Sequence, residues 1–229
     1  MAEGNENVME LRRWFRQTKA HNTMVLGKTA EHEETGAENI NKAAGTLLLS
    51  KDENEYQLIV TENQGYTNFK HRRAIFYVKQ PQEFFVLVDE GFGTATGYAK
   101  LYFHLCDEKS VDNVLLDKEV FSAHTTFNGD NNLLVRTFGE INKNLIFKEF
   151  DGRISYQTDR KYEQRKSYAV VMRKPDNSPV RYITVLYPVR SATGHTIKGQ
   201  FKETGNKDNV SINIEIDGRP YDLNYNLNE

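Results

Sequence analysis

The chain is divided into short apolar segments by turns rich in Asn, Asp, Gly and Pro. Asn128-Gly129, Asp151-Gly152 and Asp217-Gly218 are each flanked by runs rich in β-branched and aromatic residues. Asx-Gly pairs favour two-residue hairpin turns, because these turns need positive φ at both central positions. Parallel strands would need crossovers of a dozen or more residues, which this spacing does not provide. The sequence therefore predicts antiparallel sheets and no long helix.

The predicted hairpins cover most of the chain from residue 46 onward. They pair 46–50 with 56–61, 74–78 with 84–89, 120–127 with 133–138, 145–150 with 154–157, 168–173 with 182–187, and 210–216 with 221–223. A further strand, 98–106, alternates, so that Leu101 and its apolar neighbours face one side while Lys100, Tyr102 and His104 face the other. So many amphipathic strands must be closed by stacking. We therefore expect an all-β fold, an antiparallel two-sheet β-sandwich of jelly-roll or Greek-key type.

The length of 229 residues fits one large β domain. Residues 1–10 lack apolar periodicity and are predicted to be flexible. Residues 11–190 form the expected sandwich. Residues 191–229 hold the last strands, and their Gly-rich, polar start allows a small subdomain of the same sandwich. The polar stretch 27–45 is interpreted as a long surface loop.

Composition excludes several classes of protein. Hydrophobic residues make up 38% of the chain and charged residues 27%, which is too apolar for disorder and too polar for a membrane protein. A net charge of −2 gives no global attraction for nucleic acid, so we predict no nucleic-acid partner. No apolar run approaches the roughly 20 residues needed to span a bilayer, so we predict no membrane partner either. The single cysteine excludes an internal disulfide.

The segment Arg16-Gln17-Thr18-Lys19-Ala20-His21-Asn22-Thr23 carries the clearest chemistry. It is interpreted as a basic strand that ends in an adjacent His-Asn pair. Histidine changes charge near neutral pH, and the nearby cations suit an anionic substrate. The alternative is that His21 is a hydrogen-bonded surface residue.

Three stretches resemble the C-terminal β-sheet domain of the heparinase II/III-like polysaccharide lyases, most closely the heparinase III branch. They are LRRWFRQTKAHNTMVLG at 11–27, HRRAIFYVKQPQEFFVLVDEGFG at 71–93 and AKLYFHL at 99–105. The resemblance implies β-elimination at a uronic acid, with an acidic polysaccharide as the partner.

Within this resemblance, His21 matches the catalytic imidazole that the sheet domain contributes, as base or acid. Arg16, Asn22, His71 and Arg73 are predicted to bind substrate, since guanidinium and amide groups suit carboxylate and sulfate. Asn22 has an alternative structural role, because it would point away from His21 in a regular strand.

The resemblance also raises the question of a metal site. Some relatives hold zinc with a His at the place of His71 and another two residues beyond the catalytic one. Here that second position is Thr23, which cannot replace an imidazole ligand. We therefore predict no metal and no cofactor.

The family's full enzymes place an α-helical toroid before the sheet domain, and this chain contains no such region. We expect the chain alone to have little or no lyase activity, with the missing helical domain as a partner. An exposed sheet edge would favour dimerisation. By resemblance, the protein is expected in the periplasm or secreted.

Two alternatives remain at this stage. The chain could be a non-catalytic carbohydrate-binding or structural β-sandwich, or the same domain from an alginate lyase, because fold does not determine substrate. The residues do not distinguish between uronate polysaccharides.

Overall fold

In the part of the chain that the structure describes, a helix and a 3₁₀ turn precede a series of antiparallel strands. The computed structural model describes residues 3–30, 44–105, 113–129, 131–140, 143–155, 162–191, 194–202 and 207–228. Helix α1 (Glu3–Phe15) and a 3₁₀ turn (Thr18–Ala20) come first. The strands are β1 (Met24–Gly27), β2 (Thr46–Asp52), β3 (Tyr56–Tyr66), β4 (Phe69–Val78), β5 (Phe84–Phe92), β6 (Gly97–His104), β7 (Val114–Asp117), β8 (Ser122–Thr125), β9 (Asn132–Gly139), β10 (Leu145–Ser155), β11 (Tyr162–Lys174), β12 (Val180–Val189), β13 (Ile197–Lys202), β14 (Asn209–Ile216) and β15 (Arg219–Asn226).

The strands form three sheets. The central sheet has eight strands in the order β2-β3-β4-β5-β12-β9-β8-β7, the four-stranded sheet has the order β1-β6-β11-β10, and the C-terminal sheet is β13-β14-β15. Neighbouring strands pair in the antiparallel sense throughout the described registers. The predicted all-β antiparallel sandwich is confirmed, and a third sheet is added to the expected pair.

The central sheet is apolar on both faces, which explains the third layer. On β5, Leu87 packs in the core shared with the four-stranded sheet, while Val86 and Val88 pack in the core shared with the C-terminal sheet. On β12, Tyr182 packs in the core shared with the four-stranded sheet and Ile183 in the core shared with the C-terminal sheet. Successive side chains of a strand point to opposite faces, so each smaller sheet covers one face of the central sheet. The subdomain boundary near residue 190 stays a prediction.

Strand β6 differs from the alternation that the sequence predicts. Lys100, Tyr102 and His104, expected on a polar face, are all buried. The ring of Phe150 lies 5.4 Å from that of Tyr102, and the ring of Trp14 lies 6.2 Å from that of His104. The N-terminal segment and β10 therefore cover a face that the residue pattern leaves open.

Two of the predicted hairpins are wrong. Strand β10 runs straight through Asp151-Gly152 and pairs with β11, so the predicted turn at these residues does not exist. A Cβ atom at Gly152 would overlap Ser167 Oγ, so this glycine allows close strand packing rather than a turn. The segments 168–173 and 182–187 lie in different sheets and do not pair. At Asp217-Gly218, by contrast, both residues have positive φ (51° and 81°), and the predicted hairpin is confirmed.

The N-terminal region contains helical structure that the sequence does not predict. Helix α1 spans Glu3–Phe15, and the segment predicted as a basic strand contains a 3₁₀ turn, with β1 beginning only at Met24. The flexibility of residues 1–10 stays a prediction. Most of the predicted loop 27–45 lies outside the described residues. No helix in the described ranges combines the length and apolarity needed to cross a membrane.

Candidate functional site

His21 lies exposed on a short segment between the 3₁₀ turn and β1. Its backbone is extended, with φ −124° and ψ 157°. Its N–H donates to the Thr18 carbonyl at 3.1 Å, and its own carbonyl accepts from Thr23 N–H at 2.9 Å. These two bonds turn the chain around His21 and leave its imidazole open to solvent.

His104 of β6 binds the segment on both sides of His21. Its backbone N–H donates to Asn22 Oδ1 at 2.7 Å, and its Nε2 lies 2.7 Å from the Lys19 carbonyl oxygen. A carbonyl oxygen only accepts, so Nε2 carries the hydrogen. In the neutral ring Nδ1 then accepts from the Ser167 hydroxyl at 3.0 Å. Burial lowers the pKa of His104 to about 4, so the ring is neutral at neutral pH.

Arg73 of β4 binds the same segment from the central sheet. Its Nη1 donates to the Asn22 carbonyl at 2.7 Å, and its Nε donates to Asp89 Oδ1 at 2.7 Å. The imidazole of His71 donates through Nε2 to the same Asp89 oxygen at 2.6 Å. Arg73 and Asp89 are directly opposite in the β4–β5 register, which is why their side chains meet.

Asp89 is fully buried, yet its partners keep it ionised. Burial by itself would raise the pKa of Asp89, but the charge of Arg73 and the hydrogen bonds from His71 and Arg73 outweigh this, so the pKa lies below its ordinary value of 3.8. A buried carboxylate with two such donors is a stable acceptor. It holds the Arg73 fork in the orientation that reaches Asn22.

The structure brings together three of the five residues predicted to form the site. Asn22, His71 and Arg73 belong to one hydrogen-bonded network, with His71 only 6% exposed. His21 is exposed at its edge. Arg16 is exposed on the link between α1 and the 3₁₀ turn, before the network begins. Their predicted roles in catalysis and substrate binding stay predictions.

Sequence reasoning did not identify Asp89, His104 or Ser167 as part of the site. The alternation of 98–106 predicts only that His104 faces away from Leu101, whereas the structure shows that it contacts Lys19 before His21 and Asn22 after it. The signal that was available is the second motif, where a His-x-Arg pair on one strand is followed by an acidic residue on the next. Its meaning depends on a register that the residues alone do not reveal.

The described residues contain no group of three or more His, Cys, Asp or Glu side chains placed to hold a metal ion. At Thr23, the position where the sequence lacks a second histidine ligand, the backbone carbonyl accepts from Tyr102 N–H at 3.0 Å. Thr23 thus joins the segment to β6. The absence of a metal stays a prediction.

A family model described as Heparinase II/III-like, C-terminal, matches residues 2–219. The chain belongs to this family. Among heparinase II/III-like relatives, a heparin-sulfate lyase of Bacteroides thetaiotaomicron is 42% identical over 226 residues, which are 98% of this chain and 30% of that protein. A heparin-sulfate lyase of Bacteroides stercoris is 30% identical over 98% of this chain and 31% of that protein.

A crystal structure of heparinase III has the same fold, with a TM-score of 0.81 and 40% identity over 95% of this chain and 31% of that one. The predicted resemblance is confirmed. This heparinase II/III-like domain spans just under a third of the length of the relatives that it matches.

Proposed function

We propose that this chain is the β-sandwich portion of a polysaccharide lyase that cleaves a heparan sulfate-like glycosaminoglycan by β-elimination. In this proposal, His21 is the one catalytic histidine that the chain contributes. The observation that carries the proposal is that His21 is exposed while Lys19 and Asn22, on its two sides, are hydrogen-bonded to His104 and Arg73. Family membership and the 42% identity to a heparin-sulfate lyase support the substrate class.

The proposed reaction needs one base and one acid. A base removes the C5 proton of the uronic acid, and the C–H electron pair forms the C4–C5 double bond. The C4–O bond breaks, and an acid protonates the departing glycosidic oxygen. Imidazoles, with an ordinary pKa of about 6.5, suit proton transfer near neutral pH. His21 takes the part of base or acid partner.

Anionic groups of the substrate need cationic and amide donors. Arg16 is exposed close to His21 in sequence, and a guanidinium binds a carboxylate or sulfate bidentately. Asn22, His71 and Arg73 are proposed to contribute to substrate binding by shaping the segment beside His21. The part of the relatives that this chain does not match is the proposed partner that completes the site.

The test is a chimera that joins the unmatched part of the Bacteroides thetaiotaomicron lyase to this chain. Absorbance of the unsaturated uronate product is followed with heparan sulfate and with alginate. We expect turnover of heparan sulfate by the chimera, loss of at least a hundredfold in His21→Ala, and little change in the control His195→Ala, which lies just before the C-terminal sheet. The chain alone is expected to show little turnover.

Three results would change the proposal. Turnover of alginate alone would move the substrate to that polysaccharide. An active His21→Ala chimera would remove His21 from catalysis. Saccharide binding to the chain that survives His21→Ala, with an inactive chimera, would favour a non-catalytic carbohydrate-binding module.

We also propose a dimer through the edge of the central sheet that β2 forms. Strand β2 is one of the two edge strands, with β7 at the other edge, and its Leu47 and Leu48 are 60% and 38% exposed. Edge strands with exposed apolar residues tend to pair with another chain. A monodisperse monomer in solution scattering would contradict this. We further propose a periplasmic or secreted location, on the family resemblance, which fractionation of the source cells would test.

A further inference from the structure

We propose that His104 and Arg73 are positioning residues that orient His21 from two different sheets. The catalytic consequence of this inference rests on the proposed function, whereas its structural part does not. His104 lies on β6 of the four-stranded sheet, and Arg73 lies on β4 of the central sheet.

The segment that carries His21 has no apolar anchor of its own. None of the residues of the 3₁₀ turn Thr18–Ala20 is buried, and His21 and Asn22 are both exposed. The first buried side chain after them is Met24. Hydrophobic burial therefore cannot determine where the imidazole lies, and polar contacts must do so.

Three hydrogen bonds of 2.7 Å supply that constraint. The Lys19 carbonyl, two residues before His21, accepts from the His104 ring, while the side-chain and backbone oxygens of Asn22, one residue after, accept from His104 N–H and Arg73. The segment is thus bound on both sides of His21. Because the donors come from two sheets, the contacts constrain both its position and its rotation.

Each donor is itself oriented by buried groups. The His104 ring is held by Ser167 and lies edge-on to Phe150 at 5.5 Å. The Arg73 fork is held by Asp89, which is in turn bound by His71. Donors that are fixed by packing and hydrogen bonds restrain the groups that accept from them. A catalytic side chain on an irregular segment needs such support.

Two substitutions of His104 separate the loss of its hydrogen bond to the Lys19 carbonyl from the loss of the imidazole ring. In His104→Gln the amide nitrogen reaches the place of Nε2 and can still donate to the Lys19 carbonyl. The shorter amide of His104→Asn cannot. The control Ser167→Ala removes the bond to Nδ1 and leaves the bond to Lys19.

The first readout is amide hydrogen exchange of His21 and Thr23 by NMR, using this chain. Loss of one ordinary hydrogen bond corresponds to roughly tenfold faster exchange. We expect about that change in His104→Asn and close to wild-type rates in His104→Gln and Ser167→Ala. Amides of β11 are expected to keep their wild-type rates, which shows that the sheet remains folded.

A second variant acts from the other sheet. In Arg73→Lys a single ammonium cannot donate to Asp89 and to the Asn22 carbonyl in the fork geometry, so we again expect about tenfold faster exchange at Thr23. If neither His104→Asn nor Arg73→Lys accelerates exchange in the segment, the proposal is wrong.

The functional readout uses the chimera. A displacement of about 1 Å can cost on the order of a hundredfold in rate. We expect His104→Asn to lower kcat by roughly that factor with KM nearly unchanged, and His104→Gln to restore most of it. Faster exchange with unchanged turnover would support the positioning contacts and overturn their catalytic consequence, whereas the His21→Ala chimera tests the role of His21 itself.

Discussion

Glu90 offers the sharpest test of the physical reasoning, because it is a buried carboxyl between two sheets. It is 1% exposed and points to the face of β5 that the C-terminal sheet covers. Its Oε2 accepts from the Tyr225 hydroxyl at 2.9 Å, and Arg72 Nη1 lies 3.9 Å away. Burial raises the pKa of Glu90 from 4.5 to about 7, and the nearby Tyr225 and Arg72 only partly oppose this.

The direction of the pH effect follows from this shift. Between pH 4.5 and pH 7 the folded state holds a proton that the unfolded state has lost, so stability falls as pH rises. At about 1.4 kcal/mol for each unit of pKa difference, the loss is on the order of 3 kcal/mol once the pH exceeds 7. Glu90→Gln removes the titration while its amide oxygen can still accept from Tyr225.

The surrounding charges allow this substitution. Arg72 also lies 3.3 Å from Glu62 and 3.7 Å from Asp208, so it keeps carboxylate partners. The other charged groups that act on Glu90 are Arg181 and Glu140, which pair with each other. The variant therefore removes one buried charge without leaving another alone.

Urea unfolding at pH 5 and pH 8 provides the measurement. We expect Glu90→Gln and wild type to agree within about 0.5 kcal/mol at pH 5, and the variant to be more stable by about 1–3 kcal/mol at pH 8. The exposed Glu149→Gln is the matched control and should show no such difference. An equal effect of Glu90→Gln at both pH values, or a less stable variant at pH 8, would refute the reasoning.

Three further predictions concern the site. Asp89→Asn is expected to lower the free energy of unfolding by about 3–5 kcal/mol at pH 7, because two buried donors lose a charged acceptor. Because the pKa of Asp89 is depressed, this difference in unfolding free energy should shrink as pH falls below 3.8. Urea unfolding at pH 7 and pH 3 provides the measurement, and an equal difference at both pH values would contradict the prediction. Gly152→Ala should cost about 1–3 kcal/mol in thermal unfolding, since its Cβ would overlap Ser167, whereas Gly129→Ala, with open space around it, should not. His21→Ala should change stability by less than about 0.5 kcal/mol, and a larger loss would mean that the ring supports the fold.

The two Asp-Gly pairs show how far local sequence predicts this fold. Asp217-Gly218 forms the expected turn, since both residues take positive φ and the flanking strands pair. Asp151-Gly152 has the same letters but lies within β10. Its glycine is required by Ser167 on the neighbouring strand. A local pattern cannot distinguish a glycine that permits a turn from one that makes room for a distant side chain.

The candidate site is likewise only partly predictable from local sequence. The motif identified His21, and the resemblance that it carried is confirmed at the level of the family. The local sequence nevertheless predicts a strand where the 3₁₀ turn lies, because basic and polar residues next to an apolar run give no sign of such a turn. The parts played by Asp89 and His104 could not be predicted, since both depend on which strands lie side by side.

Asp89 and Glu90 are adjacent in the chain but belong to different layers of the sandwich. If β5 slipped by one residue during folding, each of the two carboxyl groups would move to the opposite face of the sheet. A slip that brings Glu90 opposite Arg73 would put a longer side chain there, and it would move Asp89 into the place of Val88 in the apolar core. Such a misfolded pairing would lose its polar bonds as well as its apolar packing. The contacts of Asp89 and Glu90 on opposite faces are therefore compatible with only one alignment of β5.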